Sequence, residues 1–200
     1  RTGIGFKGGM EHRERLIAAV RGDPDLMQVL DVARGLGLTD WLIFSGAVYQ
    51  CAWNAVTGRP AGYGIKDFDL GYFDPDVSWE AEDAVIRRVA AAFDDPLRSR
   101  VEVRNQRRVS EWFPAKFGEP YPPVACTAEA LERFVAPAFA VGVRMEADGE
   151  IVVEAPFGLD DVFSMTLRPN PNRPRAKDWD RVIAGVRARW PEVAVIEETA

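Results

Sequence analysis

The sequence predicts an α/β (α+β) fold, a β-sheet flanked by helices, with an extra C-terminal α+β portion. Two observations predict its first half. Residues 41–44, 64–74 and 100–104 are short apolar or alternating runs with the period of strands. Between them, residues 48–57 and 79–93 have apolar side chains recurring at three and four positions, as in helices. Strands and helices in alternation are typical of helices packed on a sheet.

The first two predicted elements are helices. An apolar stripe runs along residues 11–21 and predicts the first one. Asp23 and Pro24 begin the second, because aspartate is a good N-cap and proline fits the first helical turn. Gly35 or Gly37 ends it, since glycine is common just after a helix.

A small-residue turn joins the first predicted strand to the next helix. Residues 41–44 are fully apolar, and Ser45, Gly46 and Ala47 follow them directly, before the helix over 48–57. A helix N-terminus offers free N–H groups and the positive end of the helix dipole, which suits a phosphate. Most such turns contain glycine for steric reasons and bind nothing, so the phosphate interpretation depends on what lies beside the turn.

The segment 64–74 predicts two carboxylates on one face of a strand. Because side chains alternate along a strand, Asp67 and Asp69 lie on one face, and Phe68, Leu70 and Tyr72 lie on the core face. Carboxylates are poor strand formers, so this pair needs an explanation. At a spacing of about 6.5–7 Å, two carboxylates can converge on divalent metal ions. A pair in a solvated turn is the alternative.

Residues 100–104 offer a third carboxylate in a similar setting. Val101 and Val103 face the core, and Glu102 lies on the other face. The arginines around it are Arg98, Arg100, Arg104, Arg107 and Arg108. Such a cluster is either a site for a polyanion, since guanidinium binds phosphate in a bidentate fork, or a solvated edge with structural salt bridges.

The C-terminal portion predicts further elements but no clear site. In order, they are an aromatic and proline-rich ordered loop (112–123), a helix capped by Thr127 that runs to about Phe134, strands over 139–144 and 151–154 joined by a hairpin turn at Asp148 and Gly149, a helical turn at Asp160 and Asp161, a helix over 176–190 and a strand over 193–196. We therefore expect a single domain over residues 1–200, in which 111–200 packs on a core formed by 10–110.

Composition narrows the function. The net charge of −6 argues against extended DNA binding, which needs a basic surface. Cys51 and Cys126 form no disulfide framework, so we expect a cytoplasmic protein, and no apolar run approaches the ~18 residues of a membrane span. His12 is the only histidine, which argues against His-based zinc or nucleophilic sites. Acid–base or metal chemistry therefore depends on carboxylates.

At this point the chain resembles the nucleotidyltransferases of the DNA polymerase β superfamily. Their pattern is a glycine turn at a helix start, two acidic residues separated by one on a strand, and a third acidic residue on a later strand. Here the turn is at Gly46, the pair is Asp67 and Asp69, and the third is Glu102. More closely, the chain is similar to a bacterial family of largely uncharacterised nucleotidyltransferase-like proteins. The segments that carry this similarity are 45–48, 66–74, 103–109, 116–118 and 155–161.

The resemblance implies a nucleotidyltransferase-type mixed β-sheet and a metal-dependent reaction. In this reaction, Mg²⁺ or Mn²⁺ assists the transfer of a nucleoside monophosphate from a nucleoside triphosphate to an unknown hydroxyl acceptor, which is a small molecule, a protein or an RNA end. The resemblance assigns metal binding and catalysis to Asp67, Asp69 and Glu102, and nucleotide binding to Gly46 and Ala47. From their charge, we expect Arg104, Arg107 and Arg108 to bind the nucleotide as well.

Two alternatives stay open. A catalytically inactive nucleotide- or partner-binding module on the same fold is favoured by Ala47, where the superfamily commonly has serine or glycine, and by the long gap before Asp67. A haloacid-dehalogenase-type phosphatase also uses a strand-borne acidic pair, and Asp160 and Asp161 could supply its later acidic motif, although Gly71 stands where it has threonine or valine.

Overall fold

The computed structural model describes residues 4–196, with side chains from residue 9 onward. Its helices are α1 (Ile4–Arg21), α2 (Pro24–Gly35), α3 (Gly46–Thr57), α4 (Trp79–Ala91), α5 (Gln106–Phe117), α6 (Thr127–Leu131), α7 (Asp160–Phe163) and α8 (Trp179–Arg187). Its strands are β1 (Leu42–Phe44), β2 (Phe68–Tyr72), β3 (Val101–Asn105), β4 (Gly142–Met145), β5 (Ile151–Glu154), β6 (Thr166–Leu167) and β7 (Ala194–Val195). No helix in this part of the chain is long and apolar enough to cross a membrane.

A five-stranded mixed sheet confirms the predicted fold class. Its strand order is β3-β2-β1-β4-β5. Strands β2 and β3 run parallel, with α4 between them in the chain, and the other neighbours are antiparallel. Strands β6 and β7, both from the C-terminal portion, form a small parallel sheet of their own.

The start of α2 shows how the sequence sets a helix boundary. The Asp23 side chain accepts a hydrogen bond from the Leu26 N–H, and Pro24 is the first helical residue, as predicted. The cap also ties the helix to a later loop, because the other Asp23 oxygen accepts a bond from the Gly62 N–H at 2.9 Å.

The two faces of the sheet are covered differently. Phe68, Leu70 and Tyr72 are buried in the main core, as the alternation predicts, and α3 packs against β1 and β2. The opposite face carries a smaller buried cluster around Phe44, in which Leu131 of α6 takes part. The site described below lies on this second face.

The prediction of a loop over 112–123 is wrong for residues 112–117, because α5 continues to Phe117, and is confirmed for 118–123. Asn105 caps this helix by accepting a hydrogen bond from the Arg107 N–H. Pro114 lies inside α5 and removes only one N–H from the helical ladder. Gly118, at φ 66°, ends the helix in the left-handed conformation that glycine tolerates.

Other boundaries differ by a few residues. Helix α3 begins at Gly46 instead of residue 48, and β2 begins at Phe68, so that Asp67 precedes it. Helix α6 has Cys126 instead of Thr127 as its N-cap and ends at Leu131. Strand β4 begins at Gly142 after a 3-10 turn over Pro137–Phe139, and α8 covers Trp179–Arg187 only. Strand β6 was not predicted, because two residues are too short for a periodic signal.

Candidate active site

Asp69 and Glu102 lie side by side on two parallel strands. The register of β2 and β3 makes them Cα partners, and Phe44 of β1 is the Cα partner of Asp69 on its other side. Neighbouring strands are about 4.8 Å apart, so the two carboxylates leave the same face of the sheet close together. The sheet brings together two groups that are far apart in the sequence.

Asp67 completes the acidic group from the last position before β2, where it is exposed. Burial, together with the charges of Asp67 and Glu102, raises the pKa of Asp69 from 3.8 to about 6, and the charge of Arg104 acts against this. Within the described chain, these three carboxylates have no hydrogen bond or ion pair with the protein. They therefore form an unpaired group of negative charges.

Arg100 positions the segment that leads to Asp67. Its guanidinium donates to the carbonyls of Ile65 and Lys66, at 3.2 and 3.1 Å, and pairs with Asp25 at 2.7 Å. The loop before β2 is thus held by a residue at the start of β3. Sequence reasoning placed Arg100 only in a basic cluster.

The donor chemistry fits a divalent cation, but the protein supplies no closed cage. The described residues contain no set of three histidine, cysteine, aspartate or glutamate side chains close enough to hold a metal ion by themselves. Carboxylate oxygens are nevertheless the donors that Mg²⁺ takes, and Mg²⁺ usually keeps waters and substrate phosphates as its other ligands. A bound cation at Asp69 would offset the repulsion that Asp69 experiences from the two other carboxylates.

The first turn of α3 lies next to these carboxylates. The charges of Asp67 and Asp69 reach Tyr49 in this turn, whose pKa is raised mainly by burial and further by both carboxylates. Among the described residues, the N–H groups of Gly46 and Ala47 have no hydrogen-bond acceptor. Ala47 is buried, so it can offer a ligand only its backbone.

The predicted arginines do not stay together. Arg104 lies beside Asp69, whereas Arg107 lies over a different pocket that Phe73 and Glu111 also line. Arg108 is buried in an ion pair with Glu82. Of these three arginines, Arg104 therefore lies at the acidic group, and Arg108 stabilises the fold through its buried ion pair.

A cavity of about 290 Å³ opens beside the carboxylates. Its charged lining residues are Asp69, Glu102, Arg104, Arg133 and Arg173. Its aromatic lining residues are Phe44, Trp112, Phe113, Tyr121 and Phe134. Sequence reasoning missed most of these residues, and the only signal for them was the density of aromatic residues after the arginine cluster.

The acidic pair of the alternative phosphatase lies elsewhere. Asp160 bonds to the ring of His12 at 3.1 Å, and Asp161 pairs with Arg168 at 2.7 Å. Neither carboxylate lines the cavity beside Asp69. The structure thus gives no support to the phosphatase alternative.

Comparison with known proteins bears on the family and the fold of the chain. A family model described as nucleotidyltransferase matches residues 31–195. The chain belongs to this nucleotidyltransferase family. The match includes β1, β2 and β3 and therefore every carboxylate of the acidic group. No curated protein matches the chain.

Solved structures share the fold of this chain. An NMR structure described as a CCA-adding enzyme head domain has a TM-score of 0.71 and 23% identity, over 91% of this chain and 94% of that chain. A tRNA-processing enzyme complex has a TM-score of 0.51 and 17% identity, over 84% of this chain but 43% of that chain. The chain thus spans less than half of that second protein, and at these identities the likeness shows the fold alone.

Proposed function

We propose that the protein is a Mg²⁺-dependent (or Mn²⁺-dependent) nucleotidyltransferase that moves a nucleoside monophosphate from a nucleoside triphosphate to a hydroxyl acceptor. The observation that carries the proposal is the pairing of Asp69 with Glu102 on parallel strands, with Asp67 close enough to raise the pKa of Asp69. Three unpaired carboxylates at one sheet edge suit a cation shared with phosphates better than any structural role.

The three acidic residues would have different roles in the reaction. Asp67 and Asp69 would hold the metal, which supplies Lewis-acid stabilisation of the phosphate oxygens when bound. Glu102 is exposed and unpaired at the same face, which suits a general base that takes the proton of the acceptor hydroxyl, or a further metal ligand.

The phosphate chain would lie between α3 and β3. The free N–H groups of Gly46 and Ala47 would donate to phosphate oxygens, and the helix dipole would favour the negative charge. Arg104 would neutralise charge beside Asp69. Arg107 could reach the phosphates only from outside the cavity, and Arg108 contributes indirectly by fixing α5 against α4 through Glu82.

The transfer forms one bond to phosphorus and breaks another. The acceptor oxygen forms a bond to the α-phosphorus, the bond from that phosphorus to the bridging oxygen breaks, and pyrophosphate leaves with that electron pair. The hydroxyl proton goes to Glu102. Because positioning and charge stabilisation do most of the work in phosphoryl transfer, loss of one carboxylate should be severe.

Two proposals concern the whole chain. One cluster of buried side chains includes residues from Leu16 to Val193, which supports a single unit in which the C-terminal portion packs on the core. Cys51 and Cys126 are free thiols, which suits a reducing cytoplasm. The acceptor remains a small molecule, a protein or an RNA end, and extended DNA binding is not expected at a net charge of −6.

Transfer of label tests the proposal. Triphosphates labelled at the α-phosphate are incubated with the protein, Mg²⁺ and a cell extract, and label in acceptors is measured for the wild type and for Asp69→Asn. We expect transfer by the wild type and a loss of at least about 100-fold in the variant. Binding of triphosphate without transfer would instead favour an inactive binding module. Loss of catalysis would then account for Ala47 and for the absence of a closed metal cage in the described chain.

A further inference from the structure

Arg133 is a cation without a protein partner in the cavity beside Asp69. Its side chain makes no hydrogen bond or ion pair within the described chain, and its Nε–H is buried without an acceptor. Buried donors are nearly always paired, so an unpaired one needs an explanation. Arg173 next to it is different, because it pairs with Glu119 and donates to the Arg133 carbonyl at 2.7 Å.

Aromatic rings form the wall around this cation. Phe113 and Tyr121 have ring centroids 4.9 Å apart, and Trp112 lines the same cavity. Burial raises the pKa of Tyr121 to about 12, while the charges of Arg133 and Arg173 act against this rise. Tyr121 thus stays a neutral ring in the same cavity as both guanidinium groups.

The cavity is therefore lined by two carboxylates on the sheet strands and by two arginines from irregular segments. At the sheet, Asp69 interacts with the charges of Glu102 and Arg104. In the irregular segments, Tyr121 interacts with the charges of Arg133 and Arg173. A ligand that fills the cavity would meet carboxylates, an unpaired guanidinium and aromatic surface.

We propose that this cavity binds the acceptor, and that the acceptor is a molecule with a planar ring and an anionic group that Arg133 pairs. The inference rests on the proposed function, because it places the acceptor hydroxyl beside Glu102. The ring would stack on the aromatic wall, and the phosphate or carboxylate would take the bidentate fork of Arg133. A cavity of about 290 Å³ is at the small end of ligand sites, which suits one ring with one anionic group.

Small probes test the site without metal or triphosphate. The wild type is titrated with phenyl phosphate, adenosine monophosphate, inorganic phosphate and benzyl alcohol, and binding is followed by calorimetry and by NMR shifts of the Trp112 and Phe113 resonances. We expect phenyl phosphate or adenosine monophosphate to bind at least about tenfold more tightly than inorganic phosphate or benzyl alcohol, because only they combine ring and anion. The tighter of the two identifies the source, a small aromatic anion or a nucleotide.

Variants separate the site from general charge effects. Arg133→Gln should weaken binding of the tighter probe at least about tenfold, and Arg133→Lys, which keeps the charge but loses the fork, should fall between the two. Arg87→Gln removes the same charge from an exposed ion pair with Asp83 on α4 and should change nothing. Equal affinity in the wild type and both Arg133 variants, or shifts that avoid Trp112 and Phe113, would overturn the proposal.

The same variants distinguish this inference from the proposed function. Asp69→Asn should lose binding of triphosphate with Mg²⁺ and keep binding of phenyl phosphate. Arg133→Gln should do the reverse. If only the Asp69 result is found, the protein handles nucleotides but takes its acceptor elsewhere, and the inference is wrong while the proposed function stands.

Discussion

Phe44 occupies the space that a side chain at position 71 would need. A Cβ atom placed on Gly71 would lie 2.9 Å from Phe44 Cζ and closer still to its Cε1, and 3.1 Å from Thr127 Cγ2. Both residues flank Asp69, since Phe44 is its Cα partner and Gly71 is two residues further along β2. Glycine here lets the ring pack flat on the sheet beside the acidic group.

Gly71→Ala should therefore destabilise the protein. The added methyl group must displace Phe44 or β1, and such overpacking costs about 1–3 kcal/mol. The measurement is urea unfolding followed by circular dichroism. Gly185→Ala is the matched control, because Gly185 lies inside α8 with open space at its Cβ, and we expect it to gain about 0.5–1 kcal/mol. Equal stability of Gly71→Ala and the wild type would contradict the packing described.

Glu82→Gln should be strongly destabilising. Glu82 is buried, pairs with Arg108 and also accepts a hydrogen bond from the Asn105 N–H at 3.0 Å. Removing the charge leaves the Arg108 guanidinium buried without its partner, which costs about 3–5 kcal/mol. Chemical unfolding measures the loss.

An exposed ion pair on the same helix provides the control for that variant. Asp83 pairs with Arg87, and their side chains are 49% and 70% exposed. Asp83→Asn should change the free energy of unfolding by less than about 0.5 kcal/mol, because surface pairs contribute little. If both variants lose the same stability, the Glu82 pair is not the anchor that the structure indicates.

Most elements of the fold can be predicted from local sequence patterns, and the rest depend on long-range packing. Asp23 and Pro24 fix the start of α2 through chemistry that is visible in the sequence. Helix α5 could not be predicted in the same way, because Pro114 is a local signal against a helix. The cap at Asn105 and tertiary packing override this signal. Arg108 was likewise assigned to phosphate because its partner Glu82 lies 26 positions away in the sequence.

The contribution of Asp69 to the stability of the metal-free protein should fall as pH rises from about 4 to above 6. The pKa of Asp69 is raised to about 6 from 3.8, so in this range the folded state keeps a proton that the unfolded state releases. The folded state then binds more protons, and stability falls with rising pH. We expect Asp69 to account for about 2 kcal/mol of this loss, measured by unfolding at pH 4 and pH 7.5.

Asp69→Asn isolates that contribution. The variant should match the wild type near pH 4 and be more stable than it at pH 7.5, because it removes a partly buried carboxylate repelled by Asp67 and Glu102. Asp67→Asn, at an exposed position, should show a smaller gain. The stability of the wild type and of Asp69→Asn could instead change by the same amount between pH 4 and pH 7.5. That result would show that burial does not perturb the pKa of Asp69.

The acidic half of the site could be predicted from the sequence, and the cationic half could not. Alternation places Asp69 and Glu102 on the faces of their strands that point away from the main core, and a parallel register then brings them together. Arg133, Tyr121 and Arg173 line the same cavity from irregular segments, which have no periodic sequence pattern. Their positions depend on how α5 and α6 pack on the sheet.

Calorimetry with Mn²⁺ and a non-hydrolysable nucleoside triphosphate tests the central claim most directly. We expect the wild type to bind the triphosphate only when the metal is present, and Asp69→Ala to lose this binding, while the control variant Asp83→Asn keeps it. Equal metal-dependent binding by the wild type and Asp69→Ala would contradict the account, because the acidic group at β2 and β3 would then not hold the nucleotide's metal.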